Sequence, residues 1–356
     1  MSKASPRRPF RAVALLSVAV CAGAARPSGA LAQQRPTPQP TPPRFRETVV
    51  VERLVVDVRV VDDSGEAVLG LGPEDFKVEV DGKSVAVESA LWVGPSEDPG
   101  LIVTPDGALA PPAARPEPRL LVFLFHKDFE RSRISGLLLM LEKLDGLLAT
   151  LAPGDLAAAL VFDSHLRLVH DFSADQGRLR RALELDLFRG RVAVQESDEP
   201  SLLAHLDAGD ARRAASPERA LRVIGEALLP LRGAKTLVFF GWGLGQFSRM
   251  GVHMTPDYEP ARRALQKARC SVFSLDITDA DYHSLEVGLV QVAEDTGGFY
   301  AKTHLFPDQA LKRMERALQG YYVLSFERPE GRPGPRRLGV GLNGRKGTVL
   351  APSAVG

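Results

Sequence analysis

His126, Asp128 and Glu130 alternate immediately after the apolar run Leu120–Phe125 and are of the types that ligate metals. Imidazole nitrogen and carboxylate oxygen both bind divalent ions, and alternate residues of an extended segment face the same way. The plainer reading is a solvated polar loop with Lys127 beside its carboxylates. Trp242 follows a second apolar run, Thr236–Phe240, with Phe129 and Phe247 on other loops. Aromatic side chains exposed at such a rim anchor protein partners, whereas a Trp242 turned inward would only cover a helix end. Gly241, Gly243 and Gly245 suggest phosphate binding, but Gln246 stands where the third glycine of G-x-G-x-x-G belongs, and no helical pattern opens behind it. There is no Gly-x-Ser-x-Gly elbow, and the histidines form no local signature with a Ser or Cys. Cys270, where a helix passes into a strand, reads as a small buried hydrophobe. Binding rather than catalysis is the expectation, with no cofactor.

Periodicity assigns the elements that carry these loops. Leu120–Phe125 is apolar throughout, the mark of a strand buried on both faces of a parallel sheet. Ile134, Leu137, Leu138, Leu141, Leu144, Leu148 and Leu151 then fall at helical spacing until Pro153-Gly154 stops the helix. Strands are predicted over 156–162, 166–169, 236–240, 271–275 and 321–326. Helices are predicted over 179–187, from the Ser216-Pro217-Glu218 cap onward, and over 260–268, 284–296 and 307–319. Repeated βα units predict the α/β class, a doubly wound and mostly parallel sheet, over 119–326. A small β module precedes it over 48–93. There Val56, Val58 and Val60 alternate with Asp57 and Arg59, while Asp81-Gly82 supplies the two positive-φ positions of a type I′ turn. A proline-rich linker spans 94–118, and alternating Leu338, Val340 and Leu342 predict a short β extension over 327–356.

Several segments in this order resemble the von Willebrand factor A fold, and specifically the bacterial exported family called VWFA-related. They are Gly72-Pro73-Glu74-Asp75-Phe76, Asp81-Gly82-Lys83, Leu151-Ala152-Pro153-Gly154-Asp155, Val161-Phe162-Asp163, Ala268 to Asp276, Ala293 to Gly298 and Tyr321 to Ser325. The resemblance implies a Rossmann-type domain that in many members binds a divalent cation through an Asp-x-Ser-x-Ser loop, a Thr from a second loop and an Asp after a later strand. Here His126, Asp128 and Glu130 stand in the first loop and Gly241-Trp242 where the Asp is expected, while 188–215 lacks the Gly-Gly-Thr of the second. The expectation is a non-catalytic module without the usual metal site. It would bind an unidentified protein partner through a rim of His126, Asp128, Phe129, Glu130, Trp242 and Phe247. The alternative is a metal-dependent adhesion or ligand-binding domain that uses the altered His/Asp/Glu loop.

The amino terminus reads as a signal peptide over 1–32. Lys3, Arg7, Arg8 and Arg11 precede an apolar run from Ala12 to Ala25 and the small-x-small site Ala30-Leu31-Ala32. That run is shorter than the roughly 20 residues of a membrane span, so no transmembrane segment is expected in the mature chain. Both the general secretory and twin-arginine routes fit. Residues 33–47 form a proline-rich tether. The full chain carries 45 Lys+Arg and 44 Asp+Glu, and the signal peptide is basic, so the exported part is slightly acidic and a poor match for a nucleic-acid backbone. The expected location is the periplasm or the extracellular space, with Cys270 the single remaining thiol. Intact-mass analysis of the exported product should find 1–32 removed; a retained segment or a lipid-modified Cys21 would contradict this.

Overall fold

The computed structural model describes residues 52–94, 102–103, 109–110, 118–152, 154–189, 200–331 and 333–356. The expected signal peptide (1–32), the expected tether (33–47), most of the expected 94–118 linker and residues 190–199 lie outside them. Six strands form the central sheet, in the spatial order Tyr300–Lys302, Cys270–Asp276, Lys235–Gly241, Leu120–His126, Leu156–Phe162, Leu166–Ser173. Neighbours pair in parallel except the last, which runs back antiparallel to Leu156–Phe162. The sheet is therefore mostly parallel, and the expected 166–169 strand is an edge hairpin. Three polar residues, Asp163-Ser164-His165, join its strands, too short a link for a parallel crossover.

Every residue of the three central strands is buried, which explains why their sequences lack alternation. Their side chains feed two cores, one on each face. Val122, Leu124, Leu237 and Phe239 pack with Leu221, Ile224, Leu265 and Leu289 on one side. Phe123, Phe125, Phe240 and Phe273 pack with Leu137, Met140, Leu311 and Met314 on the other. Ser216 caps its helix by accepting from the Arg219 amide at 3.2 Å, and Pro217 follows at the first helical position. The long helix expected to run to Leu151 is interrupted at Lys143, giving helices Arg131–Glu142 and Leu144–Leu148.

The 321–326 segment does not join this sheet. Tyr321–Glu327 pairs antiparallel with Arg53–Val61 on one side and Val87–Val93 on the other. Its burial alternates, as expected of a strand covered on one face only. Likewise Arg336–Leu342 pairs with Phe76–Val80, so the predicted extension completes a sheet begun in the β module. The two four-stranded sheets share one core of Val56, Val58, Val78, Val80, Tyr322, Leu324 and Phe326. Asp81 and Gly82 have φ of 51° and 78°, the pair of left-handed positions that a type I′ turn requires. Among the described residues no helix is long and apolar enough to cross a membrane.

Among the side chains that join the β layer to the α/β layer, Arg59 is the most deeply buried; Arg269 on Asp57 and Arg316 on Glu66 join them nearer the surface. Arg59, 4% exposed, donates to the Ala317 carbonyl at 3.1 Å, Ser271 Oγ at 2.8 Å and Thr236 Oγ1 at 3.2 Å. Arg59→Ala should lower stability by about 2–4 kcal/mol, because it leaves buried acceptors unpaired. Arg59→Lys should recover little, since one ammonium cannot reproduce the planar fork. Urea unfolding checks both; a loss below 1 kcal/mol for the alanine variant would refute the fastening role.

Candidate functional site

The carboxyl ends of the parallel strands form one rim, where loops from adjacent strands lie side by side. At its centre is an aromatic column. The His126 ring stacks on Trp242 with centroids 4.3 Å apart, and the Arg133 guanidinium lies 3.5 Å above the Trp242 ring. His126 also contacts Phe162 and Phe239. Gly136 fixes the helix that carries Arg133, since a Cβ there would stand 1.6 Å from the Ile277 carbonyl oxygen. Only glycine lets helix Arg131–Glu142 approach the loop after Cys270–Asp276 so closely.

Arg133 also draws the first loop together. It pairs with Asp128 through Nη1 and with Glu130 through Nε at 2.7 Å. Asp128 accepts from the amides of Phe129 at 2.6 Å and Glu130 at 3.1 Å, and Glu130 from the Ser132 hydroxyl at 2.7 Å. Burial raises the Asp128 carboxyl, but these amide and guanidinium donors hold it below the usual carboxylate range. Asp128 and Glu130 thus meet on a cation that the chain itself supplies, while His126 is turned inward onto Trp242. A divalent ion at the first loop would have to displace a guanidinium bound to both carboxylates and stacked on an indole, so the loop poorly fits the cation that the resemblance implies. Lys127 turns away, to Asp163 at 3.3 Å, which Arg167 also meets at 2.7 Å.

Trp242 is partly buried against the core, so it covers the sheet end rather than standing free as an anchor. Phe129 and Phe247 do stand free, at 81% and 66% exposed, and make no ring contact with Trp242 among the described residues. Sequence reading singled out neither Arg133 nor a second cluster one strand further along. There Asp276, His283 and Glu286 place ligand-type atoms within 4.8 Å of one another. The available signal was a carboxylate ending an apolar strand, followed by His and Glu three residues apart at a helix start. Cys270 is buried, and burial pushes its thiol up to about 12, as expected of an inert cysteine.

No protein-family model matches the sequence, and no curated protein does. Solved structures similar to the chain include a von Willebrand factor type A protein from Catenulispora acidiphila (11% identity, TM-score 0.41, 81% of this chain and 75% of that one). BatB from Bacteroides thetaiotaomicron is 14% identical at TM-score 0.38, over 56% of this chain and 97% of its own. The human COPII-coat protein Sec24c is 12% identical at TM-score 0.42, over 64% of this chain; the chain spans 42% of that structure. The α/β assignment rests on the strand order and direction given above.

Burial pushes the His126 pKa from 6.5 down to about 3. Between those values the unfolded chain takes up a proton that the native ring refuses. Stability is therefore lost as pH falls below about 6.5, by up to ~1.4 kcal/mol per pH unit, and above that pH the group contributes nothing. Urea unfolding at pH 7 and pH 5 should show a loss about 2 kcal/mol larger in the wild type than in His126→Phe. Equal losses would mean that the ring is not held neutral.

Proposed function

We propose that this chain is an exported, non-catalytic protein-binding module of the von Willebrand A-like type, in which Arg133 takes the place of the usual metal at the first rim loop. The observation that carries the reading is a run of large apolar side chains left in solvent on consecutive rim loops. Phe129 follows the strand Leu120–His126; Phe247 and Met250 lie on the hairpin after Lys235–Gly241. Tyr282 follows Cys270–Asp276, and Leu305 and Phe306 follow Tyr300–Lys302. These four strands are neighbours in the sheet, so their ends span about 15 Å at ordinary strand spacing. Singly exposed apolar residues need no explanation, but a cluster along one edge marks an interaction surface. Aromatic and methionine side chains are also the types enriched at protein interfaces.

The reading also accounts for how the rim divides its labour. Within the inward set, Arg133 pairs with Asp128 and Glu130 and stacks on Trp242, which stacks on His126, and these contacts hold the loops in place. Of the outward set, Phe129 and Tyr282 have Lys127 and Lys302 over their rings at 5.5 and 5.9 Å, and every member keeps most of its surface in solvent. The runner-up, a metal-dependent domain using the altered loop, would need Asp128 and Glu130 available, and Arg133 engages both.

A photo-crosslinking residue placed at Phe129, at Phe247 or, as a control on the β layer, at Leu91 tests the reading in the native envelope. Protein adducts are expected at the two rim positions and not at Leu91. With the captured protein purified, Phe129→Ser combined with Phe247→Ser should weaken binding by about 2 kcal/mol or more while leaving thermal stability within ~0.5 kcal/mol. Adducts confined to Leu91, or binding indifferent to the double substitution, would place the interaction surface elsewhere.

A further inference from the structure

Asp276 ends a central strand with only 1% of its surface exposed, and a carboxylate so placed must be compensated. Its Oδ1 accepts the Thr278 amide at 3.0 Å. Its Oδ2 meets both His283 Nε2 and the Tyr300 hydroxyl at 2.8 Å. Burial pushes this carboxyl upward, but the His283 and Thr278 hydrogen bonds hold it below its ordinary value. Glu286, in the first turn of helix Glu286–Asp295, stands beside it and is met by Lys302 Nζ at 2.7 Å. Lys302 also donates to the Asp281 carbonyl.

We infer that Asp276, His283 and Glu286 form a binding site for a divalent transition ion such as zinc or manganese, distinct from the first rim loop. The ligand chemistry is a nitrogen and two carboxylate oxygens, which suits borderline ions better than magnesium or calcium with their all-oxygen shells. The three ligand atoms already lie within 4.8 Å of one another. Ligands around tetrahedral zinc, with bonds of 2.0–2.1 Å, stand about 3.3 Å apart. The His283–Asp276 contact would thus open by about half an ångström, and Glu286 would close by at most about 1.5 Å. His283 and Glu286 each keep 17% of their side chains in solvent, so an ion has a way in. For Nε2 to ligate, the proton it now directs at Asp276 must leave it, with the ring's remaining proton on Nδ1. Tyr300 and the Thr278 amide would then orient the Asp276 carboxylate from behind, as outer-shell donors do in metal sites.

Lys302 is what the ion must displace. Its ammonium sits on Glu286 as an internal cation, and it is a flexible point charge on a mobile stem, unlike the stacked Arg133 fork of the first loop. The two rim positions therefore differ in kind: one holds its cation by stacking and by pairing with two carboxylates, the other by an ammonium that meets one carboxylate and one carbonyl. The inference stands independently of the protein-binding reading.

Isothermal titration of the chelator-treated full exported chain with zinc and manganese tests it, with magnesium as the comparison. One stoichiometric site for zinc or manganese is expected, with no saturable heat for magnesium. His283→Ala and Glu286→Gln should each weaken the site at least about tenfold, and Lys302→Met should tighten it several-fold. Asp128→Ala should leave it unchanged. Melting curves without metal exclude misfolded variants from the comparison, and Glu286→Gln and Lys302→Met change only partly exposed groups. Absence of saturable zinc or manganese heat in both wild type and Lys302→Met would overturn the site. So would binding indifferent to His283→Ala and Glu286→Gln, which would locate the ion at other ligands.

Discussion

A single buried guanidinium sets the architecture on which everything else depends. Arg59 comes from the first strand of the β layer, yet its three donors end on the helix Pro307–Ala317 and on two strands of the parallel sheet. Its plane also lies 5.1 Å from the Phe273 ring and 5.6 Å from Tyr321. Burial lowers its pKa, while neighbouring Asp57, itself paired with Arg269, opposes the shift. A desolvated cation is tolerated because the carbonyl at the helix end carries the negative end of the helix dipole. Two hydroxyls and two rings take up the rest. Thr236 and Ser271 lie near the amino ends of their strands, so the fastening grips the base of the sheet while its opposite edge is left to loops.

That division makes the rim a place where charge can be chosen freely. A rim built on oxygen ligands gathers negative potential and needs a cation. In this chain three of the candidate carboxylates meet cations of its own, Asp128 and Glu130 at Arg133 and Glu286 at Lys302. The arginine solution is the more permanent. A guanidinium is always charged, pairs through two separate nitrogens and stacks on Trp242, so each contact restrains the others. The same stack keeps His126 dry and therefore neutral, with its Nδ1 lacking a hydrogen-bond partner. A polar ring without a full set of partners is a cost. Contact with Trp242 and the phenylalanines offsets it by making the column well packed.

Much of the fold was legible because the physics was local. The fully apolar runs at 120–125 and 237–240 mark strands covered on both faces, and Asp81-Gly82 named its own turn. The destination of Tyr321–Glu327 was not legible. Its alternation of buried and half-buried residues fits either sheet, and only its register with Arg53–Val61 and Val87–Val93 decides between them. The same holds for Leu338 and Val340, whose pattern announced a strand but not its partner Phe76–Val80. At the rim, spacing put Asp128 and Glu130 together on one loop, whereas His126 faces inward onto Trp242. What joins them was hidden, because Arg133 belongs to a helix whose apolar face drew all the attention. Asp276, His283 and Tyr300 meet only because the chain returns twice to the same edge, a long-range fact that no local pattern encodes.

The inward and outward sets on the first loop alternate almost residue by residue, and this has a physical consequence. His126 and Lys127 are buried, Asp128 and Glu130 are held by Arg133, and Phe129 between them is left in water. A backbone fixed on both sides of an exposed residue holds that residue with little conformational freedom, so docking it against a partner costs less ordering entropy than docking a free loop would. Lys127 lies 5.5 Å from the Phe129 ring and steadies it further. On the proposed reading, stability and recognition are carried by different side chains of the same five residues. Exchange of the outward residue changes what the rim meets, whereas exchange of an inward one changes whether the rim exists.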